Sequence, residues 1–330
     1  MVTYGRPTPQ TRLDAEHTII KAEQFTELGV AGLKSRAWLP PVFQMFPGER
    51  FKGALNDTLT FPTQRFTIAG EYEWRTRLQP VQLQRIGTTY ATVKLDKHLV
   101  QAVPITNEQA TMDIKSFGQE IVAPQVRAMI VEQNSQIMSA LRAAPLARTD
   151  INATSTDDPF DVAATAAIAL NRAGVPDGGR FWIVGDNAEE WLLRNKELMD
   201  PARGGNSLAQ ENVIGRIRGF TIVRGSSLVG EDEMYFGHKS GLLVANVAPE
   251  APFNVPNSSR VSADGFSLMG TLTYSDAYQS SVSTLSTFMG VNSVNDELQL
   301  DENGLPVFDE NGDPVLTGKN VRIASGRFTA

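Results

Sequence analysis

A chain of 330 residues with 41% hydrophobic side chains has material for one large core or two ordinary ones, which excludes a disordered or fibrous protein. The lack of any cysteine rules out disulfides, thiolate metal sites and cysteine nucleophiles. A formal charge of −7 argues against a protein that wraps nucleic acid, which needs a strongly basic surface, but not against a container whose wall merely faces it. No apolar run reaches the roughly eighteen residues of a membrane span, and no basic-then-apolar leader opens the sequence. Synthesis and folding in the cytoplasm are therefore expected.

Residues 1–50 mix a short amphipathic segment with turn-rich extended chain. Ala15 to Leu28 is expected to be helical, with Ile19, Ile20, Phe25 and Leu28 toward a partner and Gly29 and Gly32 as stops. In the stretch Trp38 to Gly48, three prolines stand among bulky apolar residues, so the piece is expected to run extended and press Trp38, Phe43 and Phe46 into a surface. That surface is either the core of the same chain or a neighbouring subunit.

Asn56 to Ile105 is patterned as a long two-stranded arm. Leu59, Phe61, Phe66 and Ile68 mark an outgoing strand that also carries Arg65, and Ala69-Gly70-Glu71 offers a turn. The tip crowds Glu71, Glu73, Arg75, Arg77 and Arg85 around Tyr72, Trp74, Leu78, Val81 and Leu83. The return strand sets Val93, Leu95, Leu99, Val103 and Ile105 on one face and Lys94, Asp96 and His98 on the other. A ribbon of two strands is marginal by itself and needs something to lie against.

From Asp113 to Ala144, Ile114, Phe117, Ile121, Val126, Ile130, Ile137 and Leu141 recur at helical spacings. At ~1.5 Å per residue this helix is about 48 Å long, with Asp113 as its candidate N-cap. Pro124 demands either a kink or a late start near Val122. A polar link to Pro159 follows, then a helix from Phe160 to Ala173, a buried strand from Arg180 to Gly185, and a helix through Trp191, Leu192 and Leu193 capped by Asp186 or Asn187. Beyond the glycine-rich segment Pro201 to Ser207, strands are expected over Val213 to Val223 and Met234 to Val247, closing an α/β domain, and again over Phe266 to Ser275.

Asp301-Glu302-Asn303-Gly304-Leu305-Pro306-Val307-Phe308 is followed by Asp309-Glu310-Asn311-Gly312-Asp313-Pro314-Val315-Leu316, a tandem eight-residue repeat built on Asn-Gly turns. Seven carboxylates and no basic residue lie between Asp296 and Asp313, which points to a solvated appendage. Asp309, Asn311 and Asp313 open like a calcium loop, but Pro314 replaces the required glycine and no closing glutamate follows.

Catalytic patterns are missing. His17, His98 and His238 have no second ligand at metal spacing, and each reads as structural. Gly225 to Gly230 lies between strands and is not a nucleophile elbow, while Gly237-His238-Lys239-Ser240-Gly241 lacks phosphate-loop spacing and reads as a hairpin turn. Asp157 with Asp158, and Glu189 with Glu190, suit capping more than acid/base work. Trp182 and Trp191 read as core. No cofactor or metal is expected.

The order of these parts resembles the major capsid protein of tailed bacteriophages: an N-terminal arm, a strand pair around a charged tip, a long helix containing Phe117-Gly118-Gln119-Glu120-Ile121-Val122-Ala123-Pro124-Gln125-Val126, and the strand plus helix Phe181 to Leu193. The resemblance spans about Leu33 to Phe288 and rests on element order. It implies an α+β fold with an N-terminal arm (1–52), an extended β-hairpin loop (53–91), a peripheral domain with the long helix as its spine (92–159, resumed at 248–290), and an axial α/β domain (160–247), followed by an acidic C-terminal extension (291–330). It further implies a virion protein, not an enzyme, that self-assembles in the host cytoplasm as hexamers and pentamers into an icosahedral head. That head would enclose double-stranded DNA without sequence-specific contacts.

The implied partners are copies of itself, a portal protein, in some forms a decoration protein, and a separate scaffolding protein, since only about fifty residues precede the loop; no membrane is expected. The arm and loop then supply the subunit contacts, with Trp38, Phe43, Phe46, Arg65, Glu71, Glu73, Trp74, Arg75, Arg77 and Arg85 as candidates. Pro201 to Leu208 would lie at the capsomer centre. No lysine occurs between Gly53 and Val93, so a non-covalent shell is expected. The alternatives are an encapsulin-like nanocompartment subunit holding a cargo protein and, third, a soluble hydrolase.

Overall fold

The computed structural model describes residues 22–47, 51, 57–66, 75, 87–106, 118–195, 215–225, 228–252, 255, 257–276, 279–302, 306–309 and 314–329. The first helix, α1 (Ala22–Arg36), buries Phe25, Val30 and Leu33. It runs through Gly29 and Gly32, which do not stop it. Both lie where helix meets body, because an added Cβ would stand 3.1 Å from Leu268 at Gly29 and 3.0 Å from Val126 at Gly32. Residues 15–21 of the expected helix fall outside the described residues.

A turn at Pro40–Val42 leads to β1 (Gln44–Pro47), β2 (Thr58–Phe66), β3 (Gly87–Lys94) and β4 (Lys97–Thr106). The expected single return strand is therefore two strands that part at Leu95-Asp96. One completes the ribbon with β2, and the other enters the body.

The spine helix α2 (Ala123–Ala143) follows a π turn, Gly118–Val122, and Pro124 sits in its first turn, where a missing N–H costs nothing. The α-helical ladder thus begins just before the proline, as the late-start reading expects, with the π turn directly ahead of it. Asp113 and Phe117 lie outside the described residues. Val126, Ile130, Ile137 and Leu141 are buried as their spacing requires.

Next come β5 (Leu146–Arg148), β6 (Ala153–Thr154) and α3 (Pro159–Arg172), whose N-cap Asp158 accepts from the Phe160 N–H at 3.0 Å. All five residues of β7 (Arg180–Val184) are buried, and α4 (Asp186–Arg194) starts from Gly185 without a side-chain cap. The caps expected at Asp186 or Asn187 are absent, and Asn187 donates instead to Asp232 at 2.7 Å. The chain continues through β8 (Arg216–Ile217), β9 (Phe220–Arg224), β10 (Glu233–His238) and β11 (Leu242–Val247). It closes with β12 (Ser258–Ala263), β13 (Phe266–Ser275), β14 (Ser280–Ser293) and β15 (Asn320–Thr329).

Two sheets organise these strands. The first has the order β1-β11-β14-β13-β12 with β4 on β14, and α1 and α2 pack against it. The second has the order β5-β15-β10-β7-β9-β8 with β6 also on β15, and its core gathers α3 and α4 residues with Trp182, Phe220, Phe236 and Phe328. Met234 to Val247 was expected within one domain, but β10 lies in the second sheet and β11 in the first. The segment Lys239–Gly241 is a 3₁₀ turn between sheets, not a hairpin.

The last forty residues are not a solvated appendage throughout. β15 pairs with β10 on one side and with β5 and β6 on the other, deep in the second sheet. Ahead of it, Leu298-Gln299-Leu300 proves to be a further copy of the repeat. Bridges join Leu298 to Leu316, Leu300 to Pro306 and Phe308 to Pro314. Gln299 donates to Val315, Val315 to Val307 and Val307 to Gln299, each at 2.9 Å, so three short segments form a closed triangle.

The chain crosses between the sheets three times: from α2 to β5, from β10 to β11, and from β14 through the repeat to β15. All three crossings meet at Asn320, which is fully buried. Its N–H donates to Pro145 O at 2.7 Å and its amide to Gly241 O at 2.8 Å, while Val294 N donates to the same Gly241 O at 3.1 Å.

Candidate functional site

The ribbon is the part of the chain that sequence and resemblance mark for contacts. Thr58 opposes Lys94 at its root and Phe66 opposes Gly87 at the far described end, with a register shift between Pro62 and Gln64. Proline has no N–H to give the ladder, so a bulge at Pro62 is the expected consequence. The inward face is apolar: Leu59, Phe61, Ala91 and Val93 pack with Phe46, Phe51, Leu243, Ala245, Val247 and Val294. Phe61 stacks on Phe46 with centroids 4.1 Å apart. Asn292 donates to Thr92 O at 2.6 Å, Leu95 N to Asp57 O at 3.1 Å, and β14 crosses so close beneath that a Cβ on Gly290 would stand 2.1 Å from Lys94 O. The root is therefore sheltered by its own subunit, whereas Tyr90 on the opposite face is 61% exposed.

The expected contact residues fall into three groups. Phe43 and Phe46 are buried within this chain, Phe43 against Phe181 at 5.1 Å and Phe46 on Phe61, so their rings are not available to a neighbour. Of the two readings for that stretch, the own-core reading holds for these residues, and the half-buried Trp38 packs on the same core. Arg65 lies in β2 opposite Thr88, and Arg75 is exposed. Glu71, Glu73, Trp74, Arg77 and Arg85 lie outside the described residues, as do the glycine-rich segment 201–208 and His17.

Several organising residues carry no sequence signal beyond their type. Gln125, on the buried face of α2, donates to Ser283 O at 2.8 Å and accepts from the Ser283 hydroxyl at 3.0 Å, bolting the spine helix to β14. Asp296 accepts from Arg322 Nε at 2.7 Å in a buried pair, and Arg322 also donates to Ser240 Oγ at 2.5 Å. A cavity of about 340 Å³ between α3, β15 and the repeat is lined by Leu170, Leu298, Leu300, Val321 and Ile323 among others. His98 lies on Phe288 with ring centroids 4.5 Å apart, and His238 caps the turn between the sheets. Among the described residues no group of three or more histidines and carboxylates is placed to hold a metal, and no helix is long and apolar enough to cross a membrane.

No protein-family model matches the sequence, and no curated protein matches it. Solved structures do. The chain superposes on a structure from Mycobacterium phage Che8 with a TM-score of 0.54 at 12% identity, covering 86% of this chain and 89% of the other. The capsid of cyanophage P-SCSP1u gives 0.56 at 12% identity over 84% of each chain, and the capsid of Ralstonia phage GP4 gives 0.54 at 7% over the same shares. The chain has the α+β fold of tailed-phage capsid proteins.

Proposed function

We propose that this chain is the major capsid protein of a tailed phage, assembling as hexamers and pentamers into an icosahedral head around double-stranded DNA. The observation that carries this reading is the likeness to phage capsid chains over 84% or more of both partners, which takes in both sheets. The role is structural and not catalytic. The ribbon supports it physically: two strands beyond the sheltered root need cover, and a neighbouring copy supplies it. The charged residues of the sequence between β2 and β3 set register across that boundary more than they add affinity. The shell is held without covalent links, is built in the host cytoplasm on a separate scaffolding protein, and receives a portal and, in some forms, a decoration protein.

The test is electron microscopy of the purified full chain, expressed alone and with the scaffolding protein encoded beside its gene. Uniform hollow shells, and phage heads containing this chain with DNA inside, support the proposal. A stable monomer that never assembles under either condition overturns it, as do shells whose content is an enzyme, the mark of a nanocompartment.

A further inference from the structure

We infer that the junction where the two sheets meet is an acid-sensitive latch, with His238 as its trigger and the relative orientation of the two sheets as its output. The argument begins with the turn Lys239–Gly241, which carries the chain from β10 to β11. His238 Nδ1 accepts from Ser240 N at 3.2 Å and from the Ser240 hydroxyl at 2.8 Å, and its other nitrogen, Nε2, lies 2.7 Å from Gly178 O. A carbonyl can only accept, so Nε2 carries the proton and Nδ1 is a bare acceptor. The Ser240 oxygen, having given its proton to the ring, accepts from Arg322 Nη1. The network is fully assigned for the neutral imidazole, and the Ser240 N–H bond to Nδ1 exists in that state alone.

A proton arriving from solvent at Nδ1 turns that acceptor into a donor. The Ser240 N–H then loses its partner and the backbone cap of the turn is lost, while the Ser240 hydroxyl turns its proton outward and accepts from Nδ1 instead. The surroundings offer the new charge little help. Arg322 on β15, Arg180 on β7 and Lys239 in the turn all bear on the ring as cations. The carboxylates near them are already engaged, Asp296 with Arg322 and Asp177 with Arg180. Burial pushes the His238 imidazole below its ordinary range, the Gly178 hydrogen bond works against that, and the three cations add to the lowering. A lowered folded value places the latch's stabilisation above about pH 6.5, the ordinary histidine value, and removes it as pH falls below that.

The turn also supplies Gly241 O, the acceptor on which Asn320 and Val294 converge, so its release loosens the remaining two crossings at the same point. The sheets are then tied by packing and by side-chain bridges, without the shared hub.

The absence of native cysteine makes the output measurable in the full-length subunit. Spin labels at Ser139→Cys on α2 and Thr165→Cys on α3 report the distance between the two bodies. The distance distribution should broaden or shift between pH 8 and pH 5, and hydrogen exchange of the 239–241 and 320 amides, corrected for intrinsic rate, should speed up by about tenfold or more. His238→Asn keeps an oxygen acceptor at the cap position and cannot titrate, so in that variant both changes should vanish while the pH 8 behaviour is retained. Equal pH responses in both proteins, or none in either, overturn the inference. Should His238→Asn not fold, the imidazole titration of the unsubstituted chain followed by NMR decides: a midpoint that does not coincide with the distance change overturns it equally.

Discussion

Arg142, in the last turn of the spine helix, holds Glu233 at the start of β10 in a forked ion pair, 91 residues apart, with Nη2–Oε2 at 2.9 Å and Nε at 3.2 Å from both oxygens. Arg142 also donates to Leu228 O at 2.8 Å, and Glu233 accepts from Gly230 N at 3.1 Å. One side chain thus ties the helix of the first sheet to a strand and a loop of the second. Burial alone would raise the Glu233 carboxyl, but the Arg142 hydrogen bonds, the Gly230 N–H and the arginine charge outweigh it and hold the group below the ordinary carboxylate range. The pair therefore stabilises above about pH 4.5 and is lost as pH falls through the lower folded value. Both side chains are partly exposed, 44% and 30%, so Arg142→Ala should cost only about 1 kcal/mol. Urea unfolding of the monomer at pH 7 and pH 3 should show that difference at the higher pH and little of it at the lower.

Gln125→Leu preserves volume but strands the Ser283 hydroxyl in a site with no exposure. The cost should be about 2 kcal/mol, seen as a lower denaturation midpoint with an unchanged slope. A neutral result would show that the bond from spine helix to β14 is dispensable.

Gly290→Ala should be far more severe than its single methyl implies. The new Cβ meets Lys94 O at 2.1 Å, backbone that cannot swing away, so either β14 or the ribbon root must move. A loss of about 3 kcal/mol, or insoluble protein, is expected. Wild-type thermal stability in this variant would mean the root yields freely.

Removing residues 298–317 and joining Glu297 to Gly318 should leave both sheets folded. The two ends already lie side by side, with Thr317 N donating to Glu297 O at 2.9 Å and Glu297 N to Lys319 O at 3.0 Å. Leu298 and Leu300 would no longer close the cavity beside α3, so a fall in melting temperature of a few degrees is expected. Loss of the native circular-dichroism spectrum would contradict an independent module.

In the sequence that joins β2 to β3, Trp74→Ala, or Arg75→Glu with Arg77→Glu, should reduce the yield of assembled particles in sedimentation while the monomer's melting curve stays in place. Unfolding of the isolated subunit would instead assign these residues to its own core.

Local pattern carried much of this architecture. The buried run Arg180 to Val184, the apolar stripe of α2 and the alternation along β2 and β4 were legible because each follows from one element's own periodicity. What escaped depended on partners far along the chain. Leu242 to Val247 is buried on both faces, and such a run says nothing about which sheet takes it. β15 was hidden behind a charged insert, and its place beside β10 follows from pairing across the whole stretch 239–319. Phe43 and Phe46 were recognisable as anchors, but apolar rings do not declare whose core they enter. The first copy of the repeat was missed because Leu298-Gln299-Leu300 lacks the Pro-Val that opens the other two.

That repeat has a consequence for crowding. Each of its three segments gives one main-chain bond to the next and takes one from the last, so among the described residues the figure ends where it began. An insert closed in this way is complete at three segments, so where copies crowd together it is a poorer template for an added strand than an open ribbon would be.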